Sequence, residues 1–508
     1  MYGTMAMMKS HDLELRPKEH YPTSTTTRKK QKQLTEPAPV EGFLVRLTSQ
    51  KGIHQRMGKM FFKRLYFSTY DHYLMFSRPG KADPPPPPDS STTDRTKIPN
   101  AHQIAENIPI IYSVNPYPVE DDQIRWLIPG KESPAKQRRK DEEASDETAR
   151  NLKNILNCEG FIDLVNVVRV RHIRRGETEV DEDIEESDTE DDVDIPSTIA
   201  DGGKTDHLDD RRTFELVLSN GLVVRLLAFD ENTKKEWVRR LGDLVRYWKR
   251  RHAADMDLYK AVRAQNLDEL QIDEETEALI GQYASKWEVT KTHTSPMLYN
   301  MCGISFCRAI HISGPLYRKP KRHSLFAAVH CVLVPGRILL FSTTLRKRSG
   351  RSIPHIHNNK IDSIDLTDCY LYSGLLTEND LLYQNQTFDS NNPGHNALPR
   401  MWLEDGWTSR DEDVMTTFVI WQPRSKGWFR QPEVADKDDS GDEHERMKTK
   451  LRRVANLGKK GRTIVFKARS RAERDHWVLA IGSEIERLQG GKDIRIVEAK
   501  KRKAKSNN

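Results

Sequence analysis

Two groups of cations are spaced so that they could act on anions. In the first, Lys51, Arg56 and Lys59 fall in one loop, and Lys63-Arg64 open the apolar run that follows. In the second, Arg318, Lys319, Lys321 and Arg322 precede the run Leu325–Val329, while Arg346, Lys347, Arg348 and Arg351 follow the run after it. Guanidinium and ammonium groups converging from neighbouring loops neutralise phosphate oxygens through charge-assisted hydrogen bonds. Beside an anionic leaflet each contributes about 1 kcal/mol. If the first run is a strand, Lys63 and Arg64 point to opposite faces, so at most one enters a given pocket. Ordinary solvated loop charge is the competing reading, because 31% of the chain is charged.

Other chemistry is not indicated. There is no Gly-rich phosphate loop, no G-x-S-x-G, no H-E-x-x-H and no C-x-x-C, so neither an enzyme nor a cofactor is expected. His355-Ile356-His357 and the pair Cys302/Cys307 lack a second half at any recognised ligand spacing, so no metal is expected either. The basic clusters are not interleaved with aromatics, which argues against nucleic acid as a partner. Five cysteines in 508 residues make no disulfide framework.

The elements that would position these cations have to be found in a polar chain. Only 36% of the residues are hydrophobic, and mean hydropathy is −0.75. Ordered domains joined by disordered tracts fit that composition. Glu177–Asp194 holds twelve acids and no base, Lys500–Lys505 is basic, Pro84–Pro88 is a polyproline spacer and Asp438–Glu445 is a second acidic tract. The most apolar stretch, Leu325–Phe341, is too short and too polar to cross a bilayer, and the first residues lack the apolar core of a secretory signal. A cytoplasmic protein, peripheral to a membrane, is the expectation.

Between those tracts lie short runs that read as strands: Val40–Leu47, Met60–Phe67, His72–Ser77, Phe161–Val170, Phe214–Leu218 and Leu222–Phe229. Ser219-Asn220-Gly221 predicts a type I′ hairpin turn between the last two. After Asp230, a candidate N-cap, Trp237, Leu241, Leu244, Val245 and Trp248 recur at helical spacing. The pattern then repeats. Gly461–Ala468 is a strand, Ser470 and Glu473 form a capping box, and Trp477, Ile481, Ile485 and Leu488 make the stripe. Upstream, Ile162-Asp163-Leu164 parallels Ile364-Asp365-Leu366, and Tyr73–Ser77 parallels Ile338–Ser342. Two copies of one domain are expected, with Met256–Trp287 as a helical connector.

Each copy resembles a pleckstrin-homology (PH) domain, on Trp237 and Trp477, on Glu41-Gly42-Phe43-Leu44 with Lys51-Gly52, and on Ile364–Cys369. The resemblance implies an α+β, mainly β chain: two bent antiparallel β-sandwiches, each capped by a C-terminal helix, with long disordered insertions and a helical connector. Its expected divisions are a disordered segment 1–39, a first PH domain 40–251 split by insertions 78–157 and 174–212, and a connector 252–302. A second PH domain follows at 303–489, with insertions near 373–413 and 424–460, and then a basic tail 490–508. Phosphoinositide-binding PH domains place Lys at the end of strand 1 and Lys-x-Arg on strand 2. Leu65 stands where that pattern wants Arg, which favours a general anionic contact over a headgroup-specific one.

Glu41–Ser77 and the arrangement around it are similar to the fungal sporulation-specific proteins with tandem PH domains. That resemblance implies a peripheral adaptor on the prospore membrane, with two partners: anionic lipids, possibly phosphoinositides, and a large bridge-like lipid-transfer protein of the vacuolar protein sorting class. The family's partner contact implies a Pro-x-Pro element. Pro116-Tyr117-Pro118, inside a long insertion, is the candidate, and Pro37-Ala38-Pro39 is a second match. The alternative is a scaffold in small-GTPase signalling whose PH domains bind proteins.

Overall fold

The computed structural model describes residues 24–27, 30–33, 36–52, 55–56, 59–60, 62–85, 110–120, 123–128, 130–173, 211–269, 271, 299–300, 309–319, 326–346, 352–373, 400–402, 407–409, 416–423 and 461–490. Contacts divide the chain into two units. The first holds Met1–Arg263, Ile304–Ile310 and Phe341–Ile361; the second holds Ala264–Gly303, His311–Leu340 and Asp362–Asn508. Phe341–Ile361 lies within the second sequence repeat but counts with the first unit.

The first unit is built on seven strands: β1 (Glu41–Arg46), β2 (Lys63–Tyr70), β3 (Tyr73–Ser77), β4 (Gly160–Asp163), β5 (Val167–His172), β6 (Thr213–Leu218) and β7 (Val223–Leu227). Their spatial order is β5-β6-β7-β1-β2-β3-β4. The β1–β2 register runs from Glu41↔Ser68 to Arg46↔Lys63. Alternation therefore puts Leu44 and Arg46 on one face with Leu65 and Lys63, and the burial of Leu44 and Leu65 makes it the inner face. The β2–β3 turn needs a left-handed residue, and Asp71 takes φ +51° there.

The turn between β6 and β7 differs from the predicted type I′. Gly221 has φ +84° but Asn220 does not have positive φ, and the Gly221 amide donates to the Leu218 carbonyl at 3.0 Å. This is a turn closed by one left-handed glycine, so only Gly221 needs the freedom that glycine has. At the other end of the ladder β5 and β6 pair with His172 opposite Phe214. The expected strand Phe161–Val170 is broken by a 3-10 turn at Leu164–Asn166, because the Asp163 carboxylate accepts the Val165 amide at 3.0 Å.

Two helices belong to this unit, the second as far as Arg263. Helix α1 (Pro134–Asn157) lies inside the span that the sequence reading treats as a disordered insertion, so that part of the insertion is folded. Its polar sequence hides it, for only Ala144, Asn154 and Ile155 are buried. Helix α2 (Glu231–Glu269) starts at the expected cap, where Asp230 Oδ1 accepts the Thr233 amide. It continues unbroken through the first part of the expected connector; residues 272–298 lie outside the described residues. Trp237 is 0% exposed, and Leu241, Leu244, Val245 and Trp248 line the same buried stripe.

The second unit repeats the plan with β8 (Ile312–Lys319), β9 (Ala327–Val334), β10 (Arg337–Ser342), β11 (Asn358–Asp365), β12 (Tyr370–Tyr372), β13 (Thr417–Pro423), β14 (Gly461–Lys467) and α3 (Arg471–Gly490). The order β12-β13-β14-β8-β9-β10-β11 matches the first unit strand for strand. Of β10 and β11, Arg337–Leu340 and Asp362–Asp365 count with this unit. Trp477, also 0% exposed, packs with Leu316, Cys331, Ile364, Phe418 and Phe466. Ser470 Oγ accepts the Glu473 amide at 3.2 Å, and Glu473 Oε2 accepts the Arg469 amide at 3.2 Å, a capping box shifted by one residue. The corner motif recurs as well, with Asp365 accepting both the amide and the hydroxyl of Thr367.

Candidate anion site

Arg46 ends β1 on the inner face, 3% exposed, opposite half-buried Lys63. Its guanidinium stands 5.8 Å from the centre of the Phe76 ring on β3. Nη1 lies 3.4 Å from His357 Nδ1. Arginine only donates, so His357 Nδ1 is the acceptor and its proton sits on Nε2. Burial, reinforced by Arg46 and opposed by an Asn359 hydrogen bond, holds the His357 pKa well below its usual 6.5; His355 and Lys63 lower it further. His357 is therefore neutral at neutral pH.

The segment carrying His357 is fastened to several parts of the first unit. The Ile356 amide donates to the Gln50 carbonyl at 2.9 Å. Asn220 Nδ2, from the β6–β7 turn, donates to the His355 carbonyl at 3.0 Å. The Phe76 and His357 rings meet edge to face at 4.8 Å. Along β4, Gly160 pairs with Asn359 and Phe161 with Asn358. Gly160 is required for that approach, since a Cβ there would stand 2.4 Å from the Asn358 carbonyl oxygen.

In the second unit Arg318 occupies the place of Arg46: next to last in β8, on the face of core residue Leu316, opposite Ala327 of β9. Its partner differs, because Nη2 donates to Asp362 Oδ2 at 2.6 Å. Asp362 precedes Ile364-Asp365-Leu366 by the spacing that Gly160 has to Ile162-Asp163-Leu164. One repeat thus supplies a carboxylate where the other supplies a glycine.

The remaining expected residues fall in different places. Lys51 is half-buried in the loop after β1, and Arg64 points outward with its guanidinium 5.3 Å from the centre of the Phe43 ring. Arg56 and Lys59 form a two-residue ladder, Arg56↔Lys59. Lys319 is buried against Phe326, 5.8 Å from its centre, and burial lowers its pKa. Arg346 is exposed and pairs with Ser352. Lys321, Arg322, Lys347, Arg348 and Arg351 lie outside the described residues, as do both acidic tracts, Cys302, Cys307 and the basic tail.

Pro116 and Pro118 are half-buried in a small folded knot. The Pro118 carbonyl accepts the Arg125 amide at 3.0 Å. Tyr117 packs on a cluster of Ile124, Trp126 and Ala144, and Trp126 Nε1 donates to Asp141 at 2.8 Å. Sequence reasoning did not single out Arg46 or Asp362. Inward alternation from Leu44 points to the arginine; nothing local marks its acidic counterpart.

Among the described residues no group of side chains could hold a metal, and no helix is long and apolar enough to cross a membrane. Residues 310–496 match the pleckstrin homology domain family, and the order of strands around Trp477 agrees. Residues 310–496 therefore form a PH domain. The chain is similar to two fungal sporulation-membrane adapters. It is 31% identical to the prospore membrane adapter protein SPO71 of Saccharomyces cerevisiae, across 96% of this chain and 41% of that one. It is 29% identical to the forespore membrane adapter protein MUG56 of Schizosaccharomyces pombe, across 96% of this chain and 45% of that one. The chain thus spans less than half the length of these relatives. A solved Slm1 PH domain is 14% identical over 35% of this chain and 98% of that domain, with a TM-score of 0.16.

Proposed function

We propose that the chain is a non-catalytic, membrane-peripheral adaptor built from two PH domains, acting at the forming spore membrane of a fungus. Its expected boundaries are 40–251 and 303–489, with a connector at 252–302. The similarity to two membrane adapters over 96% of the chain carries this reading. The shared strand order of the two units supports a tandem. Anionic lipid is the expected surface ligand, met by Lys51, Arg56, Lys59, Lys63 and Arg64 in the first domain. In the second, Arg318 and Lys319 at the end of β8 and the cations Lys321, Arg322, Arg346, Lys347 and Arg348 beyond it are the expected counterparts. Two weak contacts in one chain gain avidity of about 10²–10⁴-fold where both engage.

The second partner is a large lipid-transfer protein of the vacuolar protein sorting class, recruited through Pro116 and Pro118. Flotation of the full chain with anionic and with neutral vesicles tests the membrane reading. Salt-sensitive binding to anionic vesicles is expected, weakened by reversing Arg346, Lys347 and Arg348 to Glu. Equal flotation with both kinds of vesicle would sink it. For the partner, P116A/P118A should abolish co-purification with the lipid-transfer protein while leaving flotation intact.

A further inference from the structure

We propose that the first unit's cation cluster is shut by its own chain: the tip His355–His357 is an internal ligand that takes the place of a phosphate group beside Arg46 and Lys63 and must leave before a phosphomonoester enters. The inference rests on reading this unit as a domain that meets anionic headgroups.

The tip offers Arg46 what a phosphoryl oxygen would offer, an acceptor lone pair, here on a neutral ring nitrogen 3.4 Å from Nη1. It is held over the end of the strands from different sides: by Gln50 after β1, by Phe76 on β3 and by Asn220 between β6 and β7. The following residues add to the edge of β4, at a glycine that leaves room for them. The second unit uses a carboxylate, Asp362, against the equivalent arginine. A fixed charge pair resists exchange, whereas the neutral ring lacks the Coulomb attraction that a dianion has for the guanidinium and yields to it. The entering group is a phosphomonoester, on a lipid headgroup or free in solution.

The test uses the full chain and two probes: soluble inositol hexakisphosphate, and phosphatidylcholine vesicles with or without phosphatidylinositol phosphates. H357A removes the internal acceptor, and N220A, an exposed turn residue, loosens the tip and carries the test where H357A does not fold. If the closed state dominates, apparent affinity is reduced by the open fraction, so H357A should bind both probes about tenfold more tightly than wild type, with N220A between them. R46A/H357A should erase the gain. Equal affinity of wild type, N220A and H357A for the soluble probe overturns the proposal, as does a gain that survives R46A. A gain for the soluble probe with no vesicle binding by any variant keeps the closure and removes the membrane reading instead.

Discussion

Arg150 of α1 grips Glu41 of β1 at two points, Nη2 to Oε1 at 2.6 Å and Nη1 to Oε2 at 3.1 Å, with both side chains 9% exposed. Tyr66 donates to the same carboxylate at 2.7 Å. A helix with little apolar surface is thus docked by a desolvated ion pair.

Breaking that pair should be costly. R150M leaves a buried carboxylate without its counter-ion, and the expected loss is about 3–5 kcal/mol by chemical unfolding. The double variant E41Q/R150M should recover much of it. Equal stability of R150M and wild type would show that α1 is not part of the folding unit.

Trp237 and Trp477 each close one sandwich at 0% exposure. Alanine at either should cost about 3–5 kcal/mol, comparable with the stability of a whole domain. Differential scanning calorimetry of the two variants should lower one transition each; an unchanged profile would contradict the packing.

Gly461 lies beneath the Trp421 ring, where an added Cβ would stand 2.1 Å from the ring carbon Cε2. Replacement by alanine must displace the indole, so G461A should lower the melting temperature and raise Trp421 exposure to fluorescence quenchers. The pair G461A/W421A should lose less than the sum of the two single changes.

Acid should loosen the second unit through His330, which burial pushes from 6.5 down to about 4. Its folded pKa lies below its unfolded value, so the unfolded chain takes the proton first. Stability is full above about pH 6.5 and falls as pH drops towards 4, by on the order of 3 kcal/mol for this residue. H330Q should flatten that slope in melting experiments, leaving the part due to His311 and His476, whose pKa values burial also lowers.

Much of the fold was legible because its signals are local. Period-two runs, the caps at Asp230 and Ser470 and the two stripe tryptophans are each set within a few residues of chain. Helix α1 was not, since its docking depends on Glu41, far away in sequence. Of the candidate site, Lys63 was singled out in the sequence and Arg46 was not. Clusters of Lys and Arg are visible to composition, whereas Arg46 is a single cation at the end of an apolar strand, and its surroundings come from residues 355–359. The Asn-Gly turn misled for a physical reason: one left-handed glycine sufficed, so the second positive φ was never needed.

The pairing of His172 with Phe214 bears on how such a chain can change over time. The chain leaves the sheet after His172 and rejoins it at Thr213, at adjacent strand ends, so the two ends are held together whatever the span contains. Closing a loop costs only about 0.6 kcal/mol more for each doubling of its length. By that term alone a change in its length costs the sandwich little, which makes this span a place where selection can rewrite charge and modification sites. A fluorophore or an affinity tag placed between His172 and Thr213 should by the same reasoning leave the melting temperature of the domain unchanged.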